Sequence, residues 1–184
     1  MGEMGEFWRA VKEDKRRRAH ENPPHHRCWD WMIVSGSCHY AKNRSSFVTY
    51  RRVGRKVPSG VTGGDAFVAG IGSVELKVRS GKAKGSPVRT LVLYDVLHIP
   101  DAVCNGFCFD LLQVEGGSVS TKTGDFSATD GQGHPLWHGE RFCGLSRLVL
   151  AGKPQGESYL EDIKKDGTLL ALSMYIDMRR LAPP

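Results

Sequence analysis

The 184-residue chain predicts a mainly all-β fold. Three observations lead there. Short apolar or alternating runs recur between Gly, Pro, Asn and Asp turn signals, the pattern of strands joined by hairpins and loops. The run TLVLYDVLHIP at residues 90–100 is almost continuously apolar, with Asp95 its one charge, as a strand buried on both faces requires. Only two stretches, 6–20 and the one that starts at Ser158, carry helix signals, and both are short.

In order along the chain, residues 1–27 are charged, and Phe7, Trp8 and Val11 give a short helix over 6–20 one apolar stripe that ends before Pro23 and Pro24. The basic run from Lys12 to Arg18 is nearly neutralised by neighbouring acids; it reads as a solvated helix face, with a nuclear-localisation or nucleic-acid patch as the weaker reading. Residues 31–40, WMIVSGSCHY, pass from an apolar strand straight into a small, polar, glycine-containing turn. Residues 46–57 alternate loosely and end at Pro58-Ser59-Gly60, a strand followed by a turn. Residues 61–80 read as strand, Gly-rich turn and strand again, with Gly70-Ile71-Gly72 as the break. Residues 80–89, SGKAKGSPVR, form a polar loop before the buried strand at 90–100. Beyond residue 110, strand-like pieces appear at 117–121, 126–129 and 145–150, separated by turns at 123–125 and 130–131. Ser158-Tyr159-Leu160-Glu161 fits a helix-starting capping box, and Gly167 closes that helix. Residues 168–178 complete the sheet as a last strand or dock on it as a helix; the strand is expected.

The organisation expected is a charged N-terminal extension at 1–28, a core at 29–112, and a C-terminal β extension with one helix at 113–184 packed on the same domain. No apolar run approaches the ~18 residues of a membrane span, and the N-terminus has no apolar signal core. Five cysteines, at 28, 38, 104, 108 and 143, form no dense framework and fit buried thiols in a reducing compartment. An intracellular address, nucleus or cytoplasm, is expected, with no membrane partner.

The net charge of +6 is unevenly spread: residues 31–90 hold eleven Lys/Arg against two Asp/Glu, a surplus of +9. Such a face attracts nucleic acid or an acidic peptide, or is a solvated basic surface without a partner. His25, His26, Cys28, Cys38 and His39 invite a zinc reading, but their spacing is crowded and not that of two ligand pairs, so no metal and no cofactor is expected. No Gly-rich turn is followed by Lys and a helix, which argues against a phosphate-cradling loop.

The 31–40 stretch resembles the protease segment of Copia-type retrotransposon polyproteins, whose pattern is Trp, two apolar residues, Asp-Ser-Gly, then small residues and a nearby His. Trp31, Ser35, Gly36, Ser37, Cys38 and His39 fit it, and Val34 stands in the place of the catalytic aspartate. Gly63, Gly64 and Asp65 match the family's flap hairpin, and Gly70-Ile71-Gly72 the kink after it. Residues 91–100 are similar to its Leu-x-Asn/Asp-Val-Leu-His/Tyr-Val/Ile-Pro segment, followed by the matching Cys104-Asn105. The insertion at 80–89 and the run at 145–154 are similar to those of fungal members, and Tyr175 matches a late strand. Leu136-Trp137-His138 resembles the start of the Copia pre-integrase zinc region, whose downstream His and Cys residues are absent.

The resemblance implies a retropepsin-like closed β-barrel with a flap hairpin and short flanking helices. An aspartic protease needs two carboxylates about 3 Å apart that share a proton and activate a water. A two-fold dimer with Val34 loses both at once. The implied site therefore has no catalytic residue: a degenerate loop of Val34, Ser35 and Gly36, a peptide-binding flap at Gly63, Gly64 and Asp65, and a dimer face of Val34, Ser35 and Ser37. Three functions stay open. The first is a catalytically inactive, domesticated module for homodimerisation or for binding a peptide or protein segment. The second is an active protease in which Val34 is an engineered or allelic replacement of Asp, and the third is a basic nucleic-acid binder.

Overall fold

A computed structural model describes residues 27–60, 64–112, 116–121, 126–152, 156–165 and 171–182, together with residue 13. The helix expected over 6–20, the turn at 123–125 and Gly167 lie outside the described residues. The fold is mainly β. Strands β1 (Trp31–Val34), β2 (Tyr40–Ala41), β3 (Thr49–Pro58), β4 (Asp65–Arg79), β5 (Val88–His98), β6 (Asn105–Cys108), β7 (Ser118–Ser120), β8 (Ser127–Thr129), β9 (Pro135–Phe142) and β10 (Leu145–Leu148) form one mixed sheet. Its order is β3-β4-β5-β2-β6-β1-β10-β9-β8-β7. The one α-helix among the described residues, α1 (Leu160–Lys165), is short.

The centre of the sheet is parallel: β1 runs beside β6, with Trp31 opposite Asn105 and Val34 opposite Cys108, and β2 runs beside β5. All four residues of β1 and all four of β6 are buried, as strands covered on both faces must be. Alternation along β1 sends Met32 and Val34 into one apolar cluster with Tyr40, Leu97 and Cys108. Trp31 and Ile33 point the other way, into a second cluster with Val74, Leu93, Phe107 and Trp137. β1 is thus the partition between two cores.

The closed barrel implied by the resemblance is not shown; the continuous ladder runs from β3 at one edge to β7 at the other. A single antiparallel bridge, Val78 to Leu150, links β4 to the chain just past β10. Its hydrogen bonds are Arg79 N–H to Val149 O at 3.1 Å and Ala151 N–H to Lys77 O at 2.7 Å.

Three local expectations need correction. Residues 65–79 are one continuous strand, not two strands around a turn at 70–72. The glycines there serve close approach: a Cβ on Gly72 would lie 1.9 Å from Thr49 O, and one on Gly70 would lie 2.3 Å from the Tyr50 ring. The ladder to β5 shifts register between Gly72 and Val74, so the kink is a bulge inside a strand. Secondly, the expected C-terminal strand is an extended segment that touches the sheet through one bridge, Gly36 to Met174, and ends in a 3-10 turn at Met178–Leu181. Side-chain and loop donors, not a neighbouring strand, satisfy its carbonyls. Finally, Ser158 does not cap the helix as a capping box requires, because α1 starts at Leu160 and the Ser158 hydroxyl donates to Asp30 Oδ2 at 2.5 Å.

The strand pieces expected at 117–121, 126–129 and 145–150 appear as β7, β8 and β10. The loop at 80–87 and strand β5 also appear, but β5 is not buried on both faces as expected: residues 88–90 are exposed beside buried Leu91 and Leu93, Tyr94 and Asp95 are exposed where the strand bulges, and only residues 96–98 are covered throughout. Sequence reading missed β9, whose opening Pro135 hides a strand that buries Trp137 completely.

Gly72→Ala should lower stability by about 3 kcal/mol, the upper part of the range for inserting one carbon into a packed site, because the obstacle is the backbone carbonyl of Thr49. Denaturant unfolding measures it; a loss below about 1 kcal/mol would mean that β3 yields freely.

Candidate functional site

Val34 is the last residue of β1 and is only 6% exposed. It packs in the apolar cluster with Met32, Cys38, Tyr40 and Cys108. Among the other aspartates, Asp30 is fully buried and engaged by Arg147 Nη1 at 3.1 Å and by Ser158. Asp65 is exposed at the start of β4, and Asp95 is exposed on β5 with φ of 52°. None stands at the end of β1.

The loop after Val34 is turned onto the chain's own C-terminal segment. Ser35 Oγ lies 3.0 Å from Ser173 Oγ. Ser37 N–H donates to Met174 O at 3.0 Å. The Ser37 hydroxyl donates to Ile176 O at 3.0 Å and accepts from Ile176 N–H at 2.8 Å, so one side chain holds both polar groups of one residue. Tyr40 OH donates to Leu172 O at 2.7 Å. Gly36 has φ of 144°, and a Cβ there would lie 2.4 Å from Met174 O, so only glycine lets the segment pass this close.

The opposite wall is the tip of the β3–β4 hairpin. Gly60 N–H donates to Tyr175 O at 3.0 Å, and Ser59 N–H closes the tip on Gly64 O at 2.9 Å. Residues 172–176 therefore run between the 35–37 loop and the tip of the β3–β4 hairpin. Of the three expected flap residues, Gly64 has open space around it, Asp65 begins β4 and is exposed, and Gly63 lies outside the described residues. Leu172, Met174 and Ile176 alternate into the core cluster, while Tyr175 is exposed. The expected dimer face of Val34, Ser35 and Ser37 is thus covered from within: Val34 by the core, the two serines by residues 173–176.

Beside this floor lies a cleft of about 370 Å³ lined by Ser37, His39, Val92, Tyr94, Leu111 and Met178 among others. Its one histidine is committed: His39 Nδ1 accepts the Cys108 N–H at 3.1 Å, and the ring stacks on Phe107 at 5.7 Å. Burial pushes the His39 imidazole down to about 4. Burial pushes the Cys38 thiol up to about 12 and Cys28 to about 11, and it raises Cys104 and Cys108 as well. These thiols stay protonated near neutrality and are poor nucleophiles. All five cysteines are free, and all but Cys143 are buried. Among the described residues no three His, Cys, Asp or Glu side chains converge on a metal position; His25 and His26 lie outside them.

Sequence reasoning does not place segment 172–176 in this site. The alternation of Leu172, Met174 and Ile176 with Ser173 and Tyr175 is the available signal, and alone it suits a sheet strand equally well.

His39 gives the fold an acid-sensitive point. Its folded value is depressed below the ~6.5 of the unfolded chain, so the stabilisation is present above pH 6.5 and is lost as pH falls toward 4. Between pH 7 and 4.5 this one group should remove about 2 kcal/mol of stability. His39→Asn, which keeps an acceptor for the Cys108 amide, should flatten that part of the profile in denaturant titrations. An equally steep variant would place the titration elsewhere.

No curated protein and no solved structure matches this chain. Residues 31–117, from the start of β1 to the residue before β7, match the family described as Pol polyprotein, beta-barrel domain; the part of the chain holding the 35–37 loop and the hairpin is similar to that domain of retrotransposon Pol, not specifically to the protease.

Proposed function

We propose that this protein is a non-catalytic relative of the retropepsin-like proteases of Copia-type elements, retained as a protein-interaction and homodimerisation module. The observation that carries this reading is the end of β1. A buried valine stands where acid–base chemistry needs a carboxylate, and the loop behind it spends its hydroxyls and amide on the chain's own residues 173–176. Valine neither holds a proton nor orients a water. The setting of residues 172–176 between the 35–37 loop and the hairpin tip supports a flap-covered architecture as the scaffold of this function.

The same geometry suggests how the module works. The segment is held largely through its main chain, by Ser37, Tyr40 and Gly60, with pockets for alternate side chains. That is the chemistry of strand addition, in which backbone hydrogen bonds give affinity and alternate side chains give selectivity. Another extended segment of like pattern fits the same donors and acceptors. A second copy of the chain carries an identical one, and reciprocal exchange gives a closed two-fold dimer.

Two outcomes test this reading. The purified chain should cleave no member of a diverse peptide library between acid and neutral pH, and Val34→Asp should not create turnover. Instead, burying a carboxyl in that apolar cluster should cost about 3 kcal/mol at pH 7. The cost should shrink toward pH 4, because a buried acid titrates above its unfolded value and the unfolded chain gains by ionising as pH rises. Pepstatin-sensitive cleavage by either protein overturns the non-catalytic reading.

For the dimer, chains carrying donor and acceptor fluorophores should form mixed pairs at tens of micromolar. Ser37→Ala, which removes both contacts to Ile176, should accelerate mixing several-fold. A monomer by sedimentation, with no energy transfer in either protein, refutes exchange.

A further inference from the structure

The distal half of the β4–β5 hairpin is an arm with one dry face and one charged face. Val74, Leu76, Val78, Leu91 and Leu93 are buried on the first. The opposed pairs Lys77–Thr90 and Arg79–Val88 put Lys77 and Arg79 on the second, where both are exposed. They stand about 7 Å apart along the strand.

The connection is compact. Ser86 N–H donates to Ala83 O at 3.0 Å, its hydroxyl donates to the same oxygen at 2.6 Å, and Gly85 supplies a φ of 87°. This turn presents Lys82 and Lys84 to solvent, and Arg89, exposed on the returning strand, stands opposite Val78 and so on the other face from Lys77 and Arg79. The arm is anchored close to this turn, since Lys77 O and Arg79 N–H are both bonded to the chain just past β10.

Five cations therefore fall within residues 77–89, and residues 76–94 contain no Asp or Glu. Of the flanking acids, Glu75 and Asp95 bound the stretch, and Glu140 on neighbouring β9 is engaged by Arg147 Nε at 3.2 Å. His138, whose Nδ1 lies 3.1 Å from Arg79 O, has its imidazole lowered chiefly by burial; the bond to Arg79 O and the Glu140 charge oppose that shift, while the Lys82 and Arg79 charges add to it.

We propose that this arm is a docking surface for the phosphate backbone of single-stranded nucleic acid. The sign and density of charge select a polyanion. The tip, Lys82-Ala83-Lys84-Gly85-Ser86, has no large apolar side chain to enter a lipid surface. Tyr94, 71% exposed farther along β5, offers an aromatic face on which an unpaired base stacks, which an acidic peptide does not use. Lysine and arginine contacts to phosphate hold the strand without reading its sequence.

Fluorescence anisotropy of the full chain with a labelled single-stranded oligonucleotide tests this across about 50 to 200 mM salt. Lys82→Ser, Lys84→Ser and Arg89→Thr combined should weaken binding tenfold or more at the low end. The combined variant should also make the slope of log K against log salt shallower by about 2, the share of three phosphate contacts on a single strand. Its thermal midpoint should match that of the unmodified chain, since all three side chains are exposed. Tyr94→Ser should weaken binding with the slope unchanged. No binding by the unmodified chain at micromolar concentrations, or an unaltered slope in the combined variant, overturns the proposal. So does displacement of the oligonucleotide by polyglutamate or by phosphatidylserine vesicles as effective as displacement by unlabelled oligonucleotide. None of these results bears on peptidase activity or on exchange of residues 172–176.

Discussion

The carboxamide of Asn105 holds the centre of the molecule together. It is fully buried; its Nδ2 donates to Cys28 O at 3.1 Å and Asp30 O at 3.0 Å, and its Oδ1 accepts Lys42 N–H at 2.9 Å. Three pieces of chain meet there: the approach to β1, the exit from β2, and β6 itself. Parallel strands have no hairpin to set their register, so another device must. Asn105 supplies it, and the alignment of Val34 with Cys108 and the bond from Cys108 N–H to His39 follow from that register. Each of these backbone groups would cost about 1–3 kcal/mol if left buried without a partner.

Next to this latch the buried carboxylate of Asp30 draws in Arg147 from β10 and Ser158 from the approach to α1. The Arg147 guanidinium also lies over the rings of Trp29 at 4.3 Å and Phe142 at 3.8 Å. The match to the Pol β-barrel family ends before β7, yet this arginine sits beyond it and completes the pairing of a charge within the stretch leading to β1. β10 also pairs with β1 inside the match, Met32 opposite Arg147, so the strands beyond the match continue the same sheet.

The strands that carry their own signal were legible in the sequence. β1 and β5 announce themselves by apolar runs, and β3, β7, β8 and β10 by short alternation between turns. What was not legible depended on contacts distant in sequence. Gly70 and Gly72 look like a turn until Thr49 and Tyr50 are seen to press on them. β9 begins with proline and was hidden, although Trp137 is the largest fully buried side chain in the protein among the described residues. The site was less legible. Val34 ends β1 in the core and residues 35–37 turn away from it, and nothing local tells a reader that Ser37 and Gly36 face residues more than a hundred positions away.

The C-terminal segment does two physical tasks with one stretch of chain. Residues 172–176 fill the space between the 35–37 loop and the hairpin, and the 3-10 turn after them covers part of the sheet's edge. β3 is that edge, and an uncovered edge strand invites pairing with other chains. Arg51 Nη2 donates to Leu181 O at 3.3 Å, and Arg55 Nη1 donates to Arg180 O at 3.1 Å, so two edge arginines hold the carbonyls that close the turn. Asp177 fixes its start by accepting the Arg179 N–H. Part of the basic surplus of residues 31–90 is thus structural, committed to holding the C-terminus, and those cations are not the ones exposed on the β4–β5 arm. Filling the groove and covering the edge are coupled through the few residues between Ile176 and Met178. A partner strand that displaced the first part would loosen the second, so a strand-exchanging module needs both copies to replace what each gives up, which favours a symmetric pair over capture of a lone peptide.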